Sequence, residues 1–269
     1  MKKENPIGIF DSGIGGLTVA NAVSNTLPNE EIIYFGDTAH LPYGDKSAEA
    51  VQHYSVKISD FLLEKNCKLI LIACNTASAA AFDVVKNHVA GKVPVLNVID
   101  PVVEAVAADK SFRKIGIIGT KGTIKSQVYE HKLKALRPEL EVVSLATALL
   151  ASMIEAGFYN NSVSQAVINN YLQYPDFSDV QAMILACTHY PLIRKEVESF
   201  FNGRVKIFDS TDVVSEKVKN ELTEKNLLND QKRNHHRFFV SDFTESFEQT
   251  TKIFFRQEIH LEHCDIWQE

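Results

Sequence analysis

The stretch Leu69-Ile70-Leu71-Ile72-Ala73-Cys74-Asn75-Thr76-Ala77-Ser78 decides the fold. Its apolar run has the length of a buried strand and passes through Ala-Cys straight into small hydroxyl and amide residues, the pattern of a helix start. The chain repeats the pattern at Met183-Ile184-Leu185-Ala186-Cys187-Thr188-His189-Tyr190. Each cysteine therefore sits at a strand's exit. In an open α/β sheet that is where ligands bind, and a helix N-terminus beside it offers unpaired N–H groups that favour a thiolate or a bound carboxylate.

Strand and helix alternate on both sides of this stretch, the signature of a mostly parallel sheet. Residues 7–10 read as a first strand, Asp11-Ser12-Gly13-Ile14-Gly15-Gly16 as a tight loop, and residues 17–26 as a helix. A strand at 31–35, a turn-rich loop at 37–44 and a helix at 47–65 lead to the Cys74 strand. A helix at 77–88 and a strand at 93–98 ending at Asp100-Pro101 follow it. A second cycle opens at Ile115-Gly116-Ile117-Ile118-Gly119-Thr120, continues through a strand at 141–145 and a helix at 163–172, and reaches Cys187. Ile7 and Cys74 are 67 residues apart, Ile115 and Cys187 are 72 apart, so two copies of one α/β unit place their cysteines equivalently. After a strand at 205–210, a helix over 211–227, a polar loop at 229–237, a strand at 238–240 and a helix at 246–255 form a tail too small for a core of its own. The expected architecture is two pseudo-symmetric α/β domains with a site in the cleft between them. Residues 1–97 with 210–269 form the first domain and 98–209 the second.

A chain of 269 residues that is 45% hydrophobic can fill such cores. A formal charge of -6 argues against a nucleic-acid partner, which would need clustered Lys and Arg. No apolar run reaches the length of a membrane span, and Met1-Lys2-Lys3-Glu4-Asn5-Pro6 leads into a strand rather than a signal-peptide core, so a cytoplasmic protein is expected. The four cysteines, Cys67, Cys74, Cys187 and Cys264, show no paired spacing, and free thiols are expected.

Two thiols facing one cleft can be a disulfide, a metal site, a nucleophile with a helper, or two acid/base groups. The Cys-x-x-Cys spacing of a redox pair is missing. Zinc wants four ligands, and beside Cys74 neither Asn75 nor Thr76 is a ligand type. A cysteine hydrolase would use Cys187 with His189 and leave Cys74 idle. Two-base proton transfer uses both thiols, one removing a proton from carbon and the other delivering one to the opposite face. Cys67 and Cys264 read as packing residues. The Asp11–Gly16 loop has some likeness to a dinucleotide fingerprint, but the register that starts at Gly13 would need glycine where Thr18 stands, and Asp11 would oppose a phosphate.

Five motifs in order, Ile9-Phe10-Asp11-Ser12-Gly13-Ile14-Gly15-Gly16-Leu17-Thr18-Val19, Gly36-Asp37-Thr38-Ala39 with Pro42-Tyr43-Gly44, Ile72-Ala73-Cys74-Asn75-Thr76-Ala77, Gly119-Thr120 with Gly122-Thr123-Ile124-Lys125-Ser126, and Leu185-Ala186-Cys187-Thr188-His189-Tyr190-Pro191-Leu192, closely resemble the glutamate racemases. That family interconverts L- and D-glutamate without a cofactor, and the D-form supplies bacterial peptidoglycan. The resemblance implies that Cys74 acts on the D-enantiomer and Cys187 on the L-enantiomer. It further implies that Asp11 assists Cys74, that Glu155 and His189 assist Cys187, and that no metal takes part. Asp11 otherwise caps the first helix, Glu155 is a solvated charge and His189 a core histidine. Asn75, Thr76 and Thr188 stand at helix starts suited to one substrate carboxylate. The resemblance adds Ser12, Tyr43 and Gly44 for the rest of the ligand, with Asp11 and His189 also against it.

The chain departs from the family pattern at Ala146-Thr147-Ala148, where many members carry Cys-Pro after the alanine, and at His40, where many carry arginine. Phe239-Val240-Ser241-Asp242 and the tail behind it replace the usual Thr-Gly and Trp-Leu-Gly endings. His260, His263 and Cys264 have ligand-like spacing but read as a solvated grouping. A racemase for aspartate or another acidic amino acid, and a non-catalytic module binding a nucleotide or acidic metabolite, stay open as alternatives, as does a homodimer.

Overall fold

In the computed structural model, which describes residues 1–231 and 235–268, the strands are β1 (Ile7–Asp11), β2 (Ile32–Gly36), β3 (Leu69–Ile72), β4 (Val95–Asn97), β5 (Lys114–Gly119), β6 (Glu141–Ala146), β7 (Ala182–Ala186), β8 (Lys206–Asp209), β9 (Arg237–Val240) and β10 (Leu261–His263). All pairings are parallel, in two sheets ordered β10-β9-β2-β1-β3-β4 and β6-β5-β7-β8. The expected α/β class with parallel sheets is the class observed. Parallel sheets are covered on both faces, which is why β1, β3 and β7 are apolar runs buried throughout. Parallel pairing also needs crossover helices. These are α1 (Leu17–Thr26), α2 (Ala48–Glu64), α3 (Asn75–Val89), α4 (Ile99–Ala108), α5 (Lys121–Lys125), α6 (Val128–Leu136), α7 (Leu150–Glu155), α8 (Ser162–Leu172), α9 (Arg194–Phe200), α10 (Ser210–Glu224) and α11 (Glu245–Phe255).

The orders β2-β1-β3-β4 and β6-β5-β7-β8 are the same arrangement read twice, each with its first strand second in line. Cys74 follows β3 and Cys187 follows β7, so the similar spacing in sequence becomes an equivalent position in the two sheets. The tail adds β9 to the β2 edge, with Ile33 to Gly36 paired to Arg237 to Val240, and β10 beyond it. Helices α10 and α11 pack on α1, and one apolar cluster runs from β1 and α1 through α10 to β7. Where the chain crosses back at Leu227, the buried Lys68 ammonium holds the Leu227 carbonyl, the Lys3 carbonyl and the Glu30 carboxylate together, so its charge is fully partnered.

Three local expectations need correcting. β4 begins at Val95, and Asp100-Pro101 lies inside the first turn of α4, where a missing proline N–H leaves nothing unpaired. The Asn97 side chain accepts the N–H groups of Ile99 and Asp100 at 2.8 and 2.9 Å and starts that helix. Cys74 is the N-cap of α3, but Cys187 leads into a 3-10 turn at Tyr190–Ile193, and α9 starts only at Arg194. A helix starting at Thr188 would need the N–H of residue 191 for the Cys187 carbonyl; Pro191 has none, the Tyr190 N–H takes that carbonyl at 3.1 Å instead, and Thr188 does not stand at an α-helix start. Within the expected loop at 229–237, residues 232–234 lie outside the described residues, as does residue 269 of the expected first domain. No described helix is long and apolar enough to cross a membrane.

Candidate active site

Both cysteines open onto one small cavity of about 50 Å³ between the exits of the two sheets. From the β1–β4 side Ser12, Tyr43, Gly44, Cys74, Asn75 and Thr76 line it. From the other side come Glu155, Cys187, Thr188 and His189. Of the expected site residues only Asp11 does not line the wall; it lies directly behind it, fully buried.

The glycine loop after β1 exists to hold that carboxylate. Gly13 and Gly16 N–H groups donate to Asp11 Oδ2 at 3.2 and 3.0 Å, while Oδ1 is buried with no hydrogen-bond partner. The loop's donors are thus taken by the protein's own acid, which removes the dinucleotide likeness. Burial raises the Asp11 pKa, against the opposing pull of His189 and the two N–H groups. At Gly15 a Cβ would sit 2.3 Å from the His189 ring, so the backbone passes directly against the histidine and only glycine fits.

Cys74 accepts the Ala77 N–H at 3.4 Å, and its thiol meets Ser12 Oγ at 3.8 Å. The helix start and Ser12 favour the thiolate, but burial and the nearby Asp11 charge outweigh them and push the thiol up to about 12. At neutral pH Cys74 carries its proton. Cys187 has a different neighbourhood: its sulfur is 3.5 Å from His189 Nδ1, and His189 Nε2 is 2.7 Å from Glu155 Oε1 at the end of α7. Burial works against a charged ring here, yet Cys187 and Glu155 outweigh it and raise the His189 pKa well above its ordinary value. His189 is then an imidazolium that donates to the sulfur on one side and to the carboxylate on the other. The two thiols share a position in the repeat but not a set of neighbours.

Asn75 and Thr76 occupy the first turn of α3. The Asn75 side-chain oxygen accepts from the Tyr129 hydroxyl at 2.7 Å, which leaves its NH₂ group buried and unpartnered. Tyr129 comes from α6, across the cleft, and the sequence held no sign of it: a lone tyrosine in an amphipathic helix reads as core. Thr76 Oγ1 lies 2.9 and 3.2 Å from the hydroxyls of Thr120 and Thr123, a second polar tie between the two sheets' helices. Thr120 follows β5 and lines the cavity, so the strand-exit rule that marked the cysteines would also have found it. Gly13 and Pro42, both within the motifs quoted above, also line the wall, and Leu41, Ala151 and Ser152 complete it without a motif of their own.

The remaining expectations resolve simply. Thr147, at the departure from the Cys-Pro pattern, pairs its hydroxyl with that of Tyr190 at 2.7 Å and so satisfies a buried phenol behind the site. Cys67 is buried against α2, and Cys264 is half-buried in the same apolar cluster. His260 bonds Glu248 and His263 bonds the Ser241 carbonyl, so the tail grouping does not converge. No cluster of three or more ligand-type residues suited to a metal occurs among the described residues.

Two parallel sheets with a pair of thiols at equivalent exits define the class. Residues 17–218 match the Asp/Glu/hydantoin racemase family, and the chain belongs to it. A Geobacter metallireducens protein named glutamate racemase is 40% identical over 90% of this chain and 89% of its own. A Streptococcus pneumoniae protein of the same name is 38% identical over 97% and 98%. The solved structure of Francisella tularensis glutamate racemase in complex with D-glutamate superposes with a TM-score of 0.93 at 38% identity, covering 98% of this chain and 99% of that one.

Proposed function

We propose that this chain is a glutamate racemase that interconverts L- and D-glutamate by passing the α-proton between two cysteines. The observation that carries the proposal is the pair of strand-exit thiols, equivalent in the two sheets, opening onto one cavity, one beside Ser12 and the other beside His189. From L-glutamate the Cys187 sulfur, supported by the His189 imidazolium and through it by Glu155, takes the α-proton. Cys74 then gives its own proton to the opposite face. The product is D-glutamate, and the enzyme is left with Cys187 protonated and Cys74 a thiolate beside Ser12 and Asp11. From D-glutamate the same steps run in reverse, with Asp11 assisting Cys74. The Asn75 amide NH₂ and the Thr76 and Thr188 hydroxyls suit the α-carboxylate, while Ser12, Tyr43 and Gly44 hold the rest of the ligand. Fixed dipoles in a cavity this small stabilise developing carbanion charge better than water would.

In this reading residues 1–97 with 210–269 and residues 98–209 are the two units that hold the substrate between them. The enzyme works in the cytoplasm without a cofactor or a metal, as a monomer or a homodimer, with glutamate as its small-molecule partner. Its D-glutamate feeds peptidoglycan synthesis. The test is a proton NMR time course with L-glutamate in heavy water, no cofactor added, followed by chiral analysis. Loss of the α-proton signal with growth of D-glutamate is expected, and an aspartate sample run alongside is expected to keep its signal. A persistent glutamate signal in folded protein would sink the assignment; exchange of aspartate alone would move it to that acid.

Tyr129 gives a sharper consequence. Tyr129→Phe frees the Asn75 amide to rotate, and because the bond orients a binding group rather than a base, KM is expected to rise about tenfold with kcat nearly unchanged. Steady-state kinetics in both directions check this, and an equal fall in kcat with constant KM would contradict it.

A further inference from the structure

Behind the Tyr43–Gly44 wall lies a second buried carboxylate that the proton transfer does not use. Asp37 follows β2, is wholly buried, and is the hub of four contacts. The Tyr43 hydroxyl donates to its Oδ2 at 2.7 Å, His40 Nδ1 lies 3.0 Å from both of its oxygens, and the Ser241 hydroxyl donates to Oδ1 at 2.7 Å. The first two partners belong to the substrate loop. Ser241 belongs to the C-terminal tail, directly after β9.

The tail holds the loop at several other points. Ser241 Oγ also accepts the Ala39 N–H at 3.0 Å, and Thr38 Oγ1 accepts the Asp242 N–H at 2.8 Å. Ser241 is itself fixed from behind, because His263 of β10 bonds its carbonyl and the Cys264 N–H bonds the Val240 carbonyl at 2.9 Å. Beyond β10 the Trp267 ring stands edge-on to His40 at 4.5 Å, and His40 stacks on Tyr54 at 4.1 Å. On the cleft side, a Cβ on Gly44 would sit 2.8 Å from Thr120 Cβ, so the loop is pressed between the tail and the opposite unit.

Resting on the glutamate reading above, we infer that the tail segment from Ser241 to Trp267 is a strap that positions the Tyr43–Gly44 wall of the substrate site through the Asp37 carboxylate, with Ser241 its principal positioning residue. The segment touches no reacting atom. Its action falls on how well the wall is ordered before substrate arrives, and therefore on binding more than on proton transfer. This also accounts for the two places where the chain departs from the family pattern near the loop: His40 and Ser241 meet on the same carboxylate.

A double-mutant cycle tests it. Ser241→Ala removes one donor to Asp37 and Tyr43→Phe removes another. Each is expected to raise KM for glutamate about tenfold with kcat changed less than about threefold. Because both act through one carboxylate, the double variant is expected to lie within about twofold of the weaker single variant. Multiplying effects, about a hundredfold in KM, would overturn the inference. So would a folded Ser241→Ala protein with a lowered melting temperature and unchanged KM. A second measurement needs no variant. Trp267 is the only tryptophan in the chain, so its emission reports on the strap. Racemic glutamate, whose composition turnover does not alter, is expected to change that emission saturably with a midpoint near KM. A flat signal in protein that turns glutamate over would overturn the coupling. Wild-type protein that neither exchanges glutamate nor responds to it brings down the functional reading and the strap together; exchange with additive variants brings down the strap alone.

Discussion

Cys187→Ser protein is expected to interconvert the glutamate enantiomers at least about a thousandfold more slowly than wild type, and Cys74→Ser protein is expected to match it. The size follows from what each sulfur does. An inversion at carbon needs a base on one face and an acid on the other, and serine at the same place is too weak an acid to ionise near neutral pH. A thousandfold loss corresponds to about 4 kcal/mol of lost transition-state stabilisation. Both variants are expected to fail in both directions, because a two-base mechanism uses both groups in every turnover. Serine is close in size to cysteine, and the two sites are 6% and 5% exposed, so the fold tolerates the change. Thermal melting followed by circular dichroism separates lost chemistry from lost structure. Chiral chromatography of each enantiomer after incubation measures the effect. The outcome that would end the two-base account is a Cys74→Ser enzyme within about tenfold of wild type, as a single nucleophile built on Cys187 and His189 would allow.

That both cysteines are legible in the sequence alone has a physical basis. A parallel strand buried on both faces must be a nearly unbroken apolar run, so the residue where polarity begins marks the strand's exit, and in an open sheet the exits are the ligand side. Asp11, Ser12, Cys74, Asn75, Cys187 and Thr188 all follow from that one rule. Parallel pairing forces intervening helices, so the alternation fixed the class as well. The rule weakens where polarity changes for another reason. After Cys187 the small polar residues read as a helix start, but Pro191 diverts the chain into a 3-10 turn. It fails for residues that helices bring to the cavity or to its lining side chains. Tyr129 and Ser152 sit in amphipathic segments where a site-facing side chain and a core-facing one have the same periodicity. Glu155 was found only through family resemblance, since a carboxylate at a helix end carries no local mark; its meaning lies in the 2.7 Å to His189, a contact 34 residues away in sequence. The strap was illegible for the same reason. Asp37 and Ser241 are 204 residues apart, and nothing short of the β2–β9 pairing brings them together.

The pH dependence should expose the Glu155 carboxylate most directly. Burial opposes the positive charge on His189, and the charge survives because Cys187 and Glu155 stand on its two nitrogens and raise its pKa well above the ordinary value. A group with a raised pKa keeps its proton through neutral pH and loses it only as pH climbs through the raised value, so in wild type the alkaline fall of kcat/KM lies above the range of an ordinary histidine. Glu155→Gln removes the negative charge and keeps the side chain's shape. Burial then acts against the Cys187 interaction with less opposition, His189 gives up its proton at lower pH, and the alkaline limb is expected to move to lower pH. Above that limb the imidazolium no longer supports the Cys187 sulfur, and kcat/KM is expected to fall about a hundredfold below wild type. The two enantiomers have equal free energies in water, so kcat/KM must fall by the same factor in both directions. A drop seen from one enantiomer alone would signal incomplete assay equilibration rather than chemistry. An alkaline limb left in place by Glu155→Gln would mean that the carboxylate positions the ring without setting its charge, and the donor to Cys187 would then have to be reassigned.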